Sequence, residues 1–276
     1  MDEQPENLET PAAPGKVARF VQGASYPFRG CVFLAKNSSL WAKALLPGVV
    51  AITLIIGFAG SSLYFLDPIS SLLLPDSWNN DAWWGKAASG AATAFAAVAC
   101  LLFGSLAGFA TAMPLVGPLN ELLSEAVEKR YGEGTAPTKG WSVKVLSHDI
   151  LRALGTAAQR LVIFAIIYIP LLALSFVPVV GLLFTAVLLA YSAFFLTLTF
   201  IEPCQDCHRM TFRQKLAWSR SNAPRFMGFG TATVVLLLIP CAALVLAPAL
   251  VTGATMLWVD AGGLHALPDS QQLRSP

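Results

Sequence analysis

Cys204-Gln205-Asp206-Cys207-His208 is the densest set of chemically capable side chains in the 276-residue sequence, and it fits the C-x-x-C-H pattern of covalent haem attachment. That attachment takes place outside the cytoplasmic membrane. Four nearby cations, Arg209, Arg213, Lys215 and Arg220, place this segment on the inner side by the positive-inside rule. A zinc site using both thiols and His208 needs a fourth ligand, and among the histidines only His148 and His265 remain. The default reading is an interfacial turn, with no metal and no cofactor expected. Gly228-Phe229-Gly230 lacks the third glycine of a dinucleotide fingerprint and no strand precedes it, so it reads as a backbone opening that lets another segment approach. H-E-x-x-H, Walker A and nucleophile-elbow motifs are all missing from the sequence. No catalytic residue is nominated, and the chain is not expected to be an enzyme.

The elements that must carry these residues are membrane elements. Hydrophobic residues make up 55% of the chain and charged residues 12%, with a mean hydropathy of +0.63; a soluble domain carries charge on about a quarter of its positions. The near-balanced net charge of +2 gives no nucleic-acid footprint. Five cysteines spread through the chain argue against a disulfide scaffold. No uninterrupted apolar core lies within the first forty residues, so no cleaved signal peptide is expected.

Residues 1–15 are acidic and proline-rich and are expected to be a disordered tail, followed by one helical membrane domain over 16–259 and a flexible tail over 260–276. Lys16 to Lys43 mixes aromatic, aliphatic and cationic residues in a manner suited to helical pieces in the membrane interface. Ala44 to Phe65 and Ala87 to Ala112 are charge-free and long enough to cross. Gly104 and Gly108 form a G-x-x-x-G step, whose ordinary meaning is close packing within one chain. From Pro118 a separate surface helix is expected, with Leu119, Leu122, Leu123, Ala126 and Val127 on one face and Glu121, Glu125, Glu128 and Lys129 on the other, ending at Gly132. A second amphipathic helix is expected over Trp141 to Arg160.

Leu161 to Phe200 reads as two helices joined near Pro178, as either a tight full hairpin or a deep re-entrant one. IEPCQDCHRMTFRQKLAWSRSNAP then reads as one polar interfacial helix. Arg225 to Trp258 would run roughly 50 Å as a straight helix, too long for one plain crossing of a roughly 30 Å core and too short for two. Pro240 and Pro248 break it, so it reads as a shallow hairpin folded near Pro240 and re-entering from the cytoplasmic face. Cations cluster in residues 1–43, 113–160 and 201–226, whereas residues 66–86 contain Lys86 alone, so the basic segments and the N-terminus are expected inside. The four apolar blocks contain no Asp, Glu, Lys, Arg or His, unlike proton-coupled pumps. Conduction would rely on backbone dipoles and hydroxyls, and Gly228, Gly230, Thr231, Pro240 and Thr255 are the candidate pathway-lining residues.

From about Phe20 to Trp258 the chain resembles the CysZ sulfate-permease family, which shares its domain with the etoposide-induced membrane protein. The resemblance rests on PLNELLSEAVEKRYG (Pro118 to Gly132), RFMGFG (Arg225 to Gly230) and IPCAALVLAPALVTGAT (Ile239 to Thr255), in that order and spacing. It implies an all-α integral membrane protein of the bacterial inner (cytoplasmic) membrane. Two long transmembrane helices, two partly penetrating helical hairpins and interfacial amphipathic helices would make up the fold, embedded in lipid as a homo-oligomer. The implied function is that of a permease or channel subunit for sulfate or a similar small anion. In sulfate-moving members the anion lies at a helix start marked Gly-Leu-Arg-Arg; here the corresponding stretch is Ser39-Leu40-Trp41-Ala42, without either arginine. Asn37, Ser38 and Ser39 are good capping residues, so Ser38, Ser39, Leu40 and Lys43 are the candidate anion-binding residues. A non-transporting membrane scaffold of the same fold is the competing reading.

Overall fold

The computed structural model describes residues 15–73, 83–132, 155, 159, 162–178, 180–239 and 242–263. Every regular element among them is helical: α1 (Lys16–Lys36), α2 (Trp41–Ser62), α3 (Leu66–Leu73), α4 (Trp83–Tyr131), α5 (Val162–Ser175), α6 (Gly181–Cys207), α7 (Phe212–Ser221), α8 (Ala223–Leu237) and α9 (Ala242–Asp260). The chain divides into two compact units, one of Met1–Lys36, Val127–Ala136 and Val162–Pro276, the other of Asn37–Ala126 and Pro137–Leu161. The expected helix over Trp141 to Arg160, both terminal tails and Pro240 lie largely or wholly outside the described residues.

The second unit holds the two expected crossings. Ser38–Leu72 and Trp83–Met113 are apolar and long enough to span a bilayer. No residue in the most apolar window of the first is buried, and Leu45, Val49, Ile52 and Ile56 point outward, as a face solvated by lipid requires. Gly104 lies against Ser62 and Phe58, and Gly108 against Leu54 and Ile55. The Ser62 hydroxyl donates to the Cys100 carbonyl at 2.7 Å, so the small-residue step joins two helices of one chain. The break expected at Pro118 does not occur: α4 is a single helix of 49 residues. A proline removes one backbone bond and strains one turn, and in an apolar setting the remaining bonds have no water to exchange with.

In the first unit α6 is a third helix long enough to cross, with 27 residues. It forms a hairpin with α5 through a turn in which Gly181 N–H donates to the Val177 carbonyl at 2.8 Å. Phe164 packs against Tyr168, Tyr191 and Phe195 and zips the two together. The final apolar block is two helices of 15 and 19 residues, and α9 continues through Pro248, so that proline is not a break.

The Lys16–Lys36 stretch is one continuous helix built into the core, instead of several interfacial pieces. Gly23, Tyr26, Pro27 and Gly30 form its buried stripe, and it packs on α8 and α9. Gly23 meets the Arg225 backbone, and Gly228 meets the Phe20 carbonyl and the Ala24 nitrogen. Each helix therefore uses a missing side chain to reach the other's main chain. Gly30 and Gly253 do the same between α1 and α9. A stripe of glycines carries no hydrophobic signal, which is why the segment looks interfacial in the sequence.

Candidate functional site

One polar cluster of the first unit forms where the ends of α4 and α9 meet the middle of α1. Tyr26 and Tyr131 donate their hydroxyls to the Asp260 carboxylate at 2.8 and 3.0 Å. Arg29 Nη1 bonds the same carboxylate at 3.3 Å and its Nη2 donates to the Tyr131 hydroxyl at 2.8 Å. Burial pushes both phenols above their ordinary range, and the Asp260 carboxylate adds to the effect. Arg225 Nε donates to Gln22 Oε1 at 2.9 Å on the same face of α1.

One turn before Tyr131, Glu128 is almost fully buried. His208 Nε2 lies 2.9 Å from its Oε1 and 3.1 Å from its Oε2, and Cys204 Sγ lies 3.8 Å from Oε2. The Thr255 hydroxyl of α9 is in hydrogen-bonding contact with Cys204. The Trp258 ring lies 5.6 Å from the His208 ring between centroids, and Trp218 packs at a tilt against Trp258 at 4.8 Å. The buried stripe of α4 keeps the expected Leu123 and Val127 but turns toward Ser124 and Glu128, so Glu128, expected on the outer face, is inside.

The end of α6 is set by its backbone. Met210 N–H donates to the Gln205 carbonyl at 3.2 Å and Arg209 N–H to the Asp206 carbonyl at 3.0 Å, the bond pair of a Schellman motif. Arg209, at φ 52°, occupies the left-handed position usually given to glycine. The turn separates α6 from α7, so the expected single interfacial helix is two. Thr211 caps α7, accepting from Gln214 N–H at 3.4 Å while its own N–H donates to Gln214 Oε1 at 2.8 Å. Lys215 is buried and not interfacial; its Nζ donates to Glu202 at 3.1 Å and pairs with Asp206 at 3.0 Å. Arg209, Arg213 and Arg220 remain exposed.

In the second unit, the start of α2 presents Ser38, Ser39 and Lys43 on the surface and Leu40 inward. No side chain caps it. The chain enters through a short 3₁₀ turn, with Leu40 N–H on the Asn37 carbonyl at 2.9 Å and Trp41 N–H on that of Ser38, so backbone carbonyls meet the needs that Asn37, Ser38 and Ser39 were expected to fill.

The candidates of the final apolar block are scattered over its helices. Gly228 is packed on α1. Gly230 is pressed against Ala193 and Thr197 of α6, where the Thr197 hydroxyl also donates to the Phe226 carbonyl at 2.9 Å. Thr231 is exposed, its hydroxyl bonded to the Met227 carbonyl at 2.9 Å. Thr255 is buried beside Cys204. None of Cys31, Cys100, Cys204 and Cys207 is in a disulfide.

A family model described as Sulfate transporter CysZ/Etoposide-induced protein 2.4 matches residues 26–248. A sulfate transporter CysZ of Pseudomonas aeruginosa is 37% identical over 151 residues, 54% of this chain and 61% of that one. The protein of the same name in Pseudomonas fluorescens is 31% identical over 159 residues, 58% of this chain and 62% of that one. The one in Pectobacterium atrosepticum is 26% identical over 264 residues, 94% and 92% of the two chains. The chain thus spans less than two thirds of the length of the Pseudomonas relatives it matches.

Proposed function

Because the chain belongs to the family of the sulfate transporter CysZ and the etoposide-induced protein 2.4, we propose that it is a permease or channel subunit for a small inorganic anion, with sulfate the first candidate. The bacterial inner membrane, with the N-terminus in the cytoplasm, is its proposed location, and a homo-oligomer its proposed assembly.

The observation that carries this reading is the start of α2. It is the foot of an apolar helix long enough to cross a bilayer, and it presents two serines, a lysine one turn on and a helix N-terminus together on the surface. The helix start carries a partial positive charge that suits an anion, and the exposed Ser38 and Ser39 add hydroxyls beside it. With no Asp, Glu, Lys, Arg or His in the apolar blocks, passage is passive, driven by the anion's own gradient. Thr231, on the open face of α8, is the hydroxyl of the final block available to a path. Ser38, Ser39 and Lys43 remain the proposed anion contacts, whereas Leu40 is buried with its N–H on the Asn37 carbonyl.

The second reading, a scaffold that retains the fold without transport, is favoured by Trp41. The family signature has a guanidinium at this position, and each hydrogen bond to a charged group contributes about 1.5–3 kcal/mol. Radiolabelled sulfate uptake into proteoliposomes decides between them. We expect uptake above empty liposomes, increased at low sulfate by Trp41→Arg. If neither protein exceeds empty liposomes and sulfate leaves both melting curves unmoved, the permease reading fails and the scaffold stands.

A further inference from the structure

We propose that Glu128, Cys204 and His208 form a binding site for a divalent cation of the zinc class, independent of any anion passage. Cys204 and His208 are one helical turn apart at the end of α6, so their side chains project from the same face. Glu128 reaches them from α4. One donor atom from each residue lies within 4.8 Å of the other two. Ligand atoms held 2.0–2.3 Å from a tetrahedral zinc are about 3.3–3.8 Å apart, and the separations of 2.9 and 3.8 Å seen here bracket that spacing. Small side-chain rotations would suffice to close the set around an ion.

The chemistry of the donors also fits. A thiolate, a carboxylate and a neutral imidazole together carry two negative charges, so a divalent ion gives an electrically neutral site. Neutrality matters because Glu128 and Cys204 are almost fully buried and His208 nearly so, and an uncompensated charge at that depth is costly. Sulfur and nitrogen donors select zinc-class ions over magnesium or calcium. A water completes the tetrahedron. The rings of Trp258 and Trp218 exclude bulk solvent from one side, while the remaining exposure of His208 leaves a way in. Its position is fixed independently of any ion by the backbone bonds that end α6.

The sequence does not mark this pairing, because the third ligand comes from an acid 76 residues before Cys204. The ion would tie the end of α4 to the end of α6.

The test uses the full chain, purified reduced in detergent and stripped with a chelator. Titration with cobalt(II) is expected to produce a thiolate-to-cobalt charge-transfer band in the near ultraviolet and the visible bands of tetrahedral cobalt, saturating at one equivalent per chain. Zinc should bleach both. The near-ultraviolet band should vanish in Cys204→Ser and the visible spectrum should change in His208→Asn, while Cys31→Ser and Cys100→Ser retain the wild-type spectrum. Absence of the charge-transfer band in the wild-type chain at excess cobalt would overturn the site. Persistence of an unaltered spectrum in both Cys204→Ser and His208→Asn would do the same. Should either variant not fold, the other decides, since each removes a ligand with a different spectral signature.

Discussion

Asp260 accepts from two phenols and pairs with Arg29, and this knot makes a pH prediction at the level of single residues. Tyr26 and Tyr131 both ionise above their ordinary value of 10.0, through burial first and the neighbouring carboxylate second. A group whose pKa is raised by folding contributes fully below its unfolded value and loses that contribution as pH rises toward the folded one. Their contribution to the melting temperature in detergent should therefore be constant near neutrality and fall above pH about 10, with a shallower fall in Tyr26→Phe than in the wild type. An identical alkaline fall in a Tyr26→Phe/Tyr131→Phe double variant would refute the assignment. Little of this was legible beforehand: Tyr26 and Asp260 are 234 residues apart, and no local pattern marks such a partner. Glu128 and Lys215 show the same limit. Each lies in a charged stretch that reads as solvated, and each is buried because its polar partners arrive from another element.

At the scale of elements, the glycine contacts decide which helices touch. An added methyl at Gly228 runs into the Phe20 carbonyl and the Ala24 nitrogen, both main-chain atoms that cannot rotate away. Gly228→Ala is expected to destabilise the protein by about 1–3 kcal/mol, the usual range for overpacking, read as a lowered denaturation midpoint in detergent. Gly57→Ala is the control: its Cβ meets nothing within 4 Å, and alanine is the better helix former by about 1 kcal/mol. Equal effects from the two substitutions would remove the packing explanation. The sequence did disclose the elements themselves, since charge-free length and turn residues mark the crossings and the joint near Pro178. It misplaced the boundaries at Pro118 and Pro248, because a proline's effect on a helix depends on whether water can take up the freed carbonyl. The pair Gly228 and Gly230 stood out by composition, yet their partners on α1 and α6 could be found only in three dimensions.

For the whole molecule, the open question of chemistry is which side faces the cytoplasm. Cys204 and Cys207 are too buried to report it, whereas Arg213 is exposed on α7. In a Cys31→Ser background, Arg213→Cys should react with a membrane-impermeant maleimide only after the cells are permeabilised. Labelling in intact cells would invert the proposed orientation. Large apolar side chains exposed on α2, α4, α5 and α6, among them Ile56, Phe103, Ile166 and Leu182, form surfaces that lipid or further copies of the chain must cover.

The packing of α1 on α8 and α9 also has a consequence in time. Helix α1 leaves the ribosome with its partners more than 180 residues later in the chain, so its glycine stripe must wait, uncovered, until α8 and α9 are made. Such distant pairings are slow to form and leave sticky intermediates exposed. The core of this unit therefore closes only once α9 has been made, and a chain cut short before α9 would leave α1 without part of the surface it is shaped to meet.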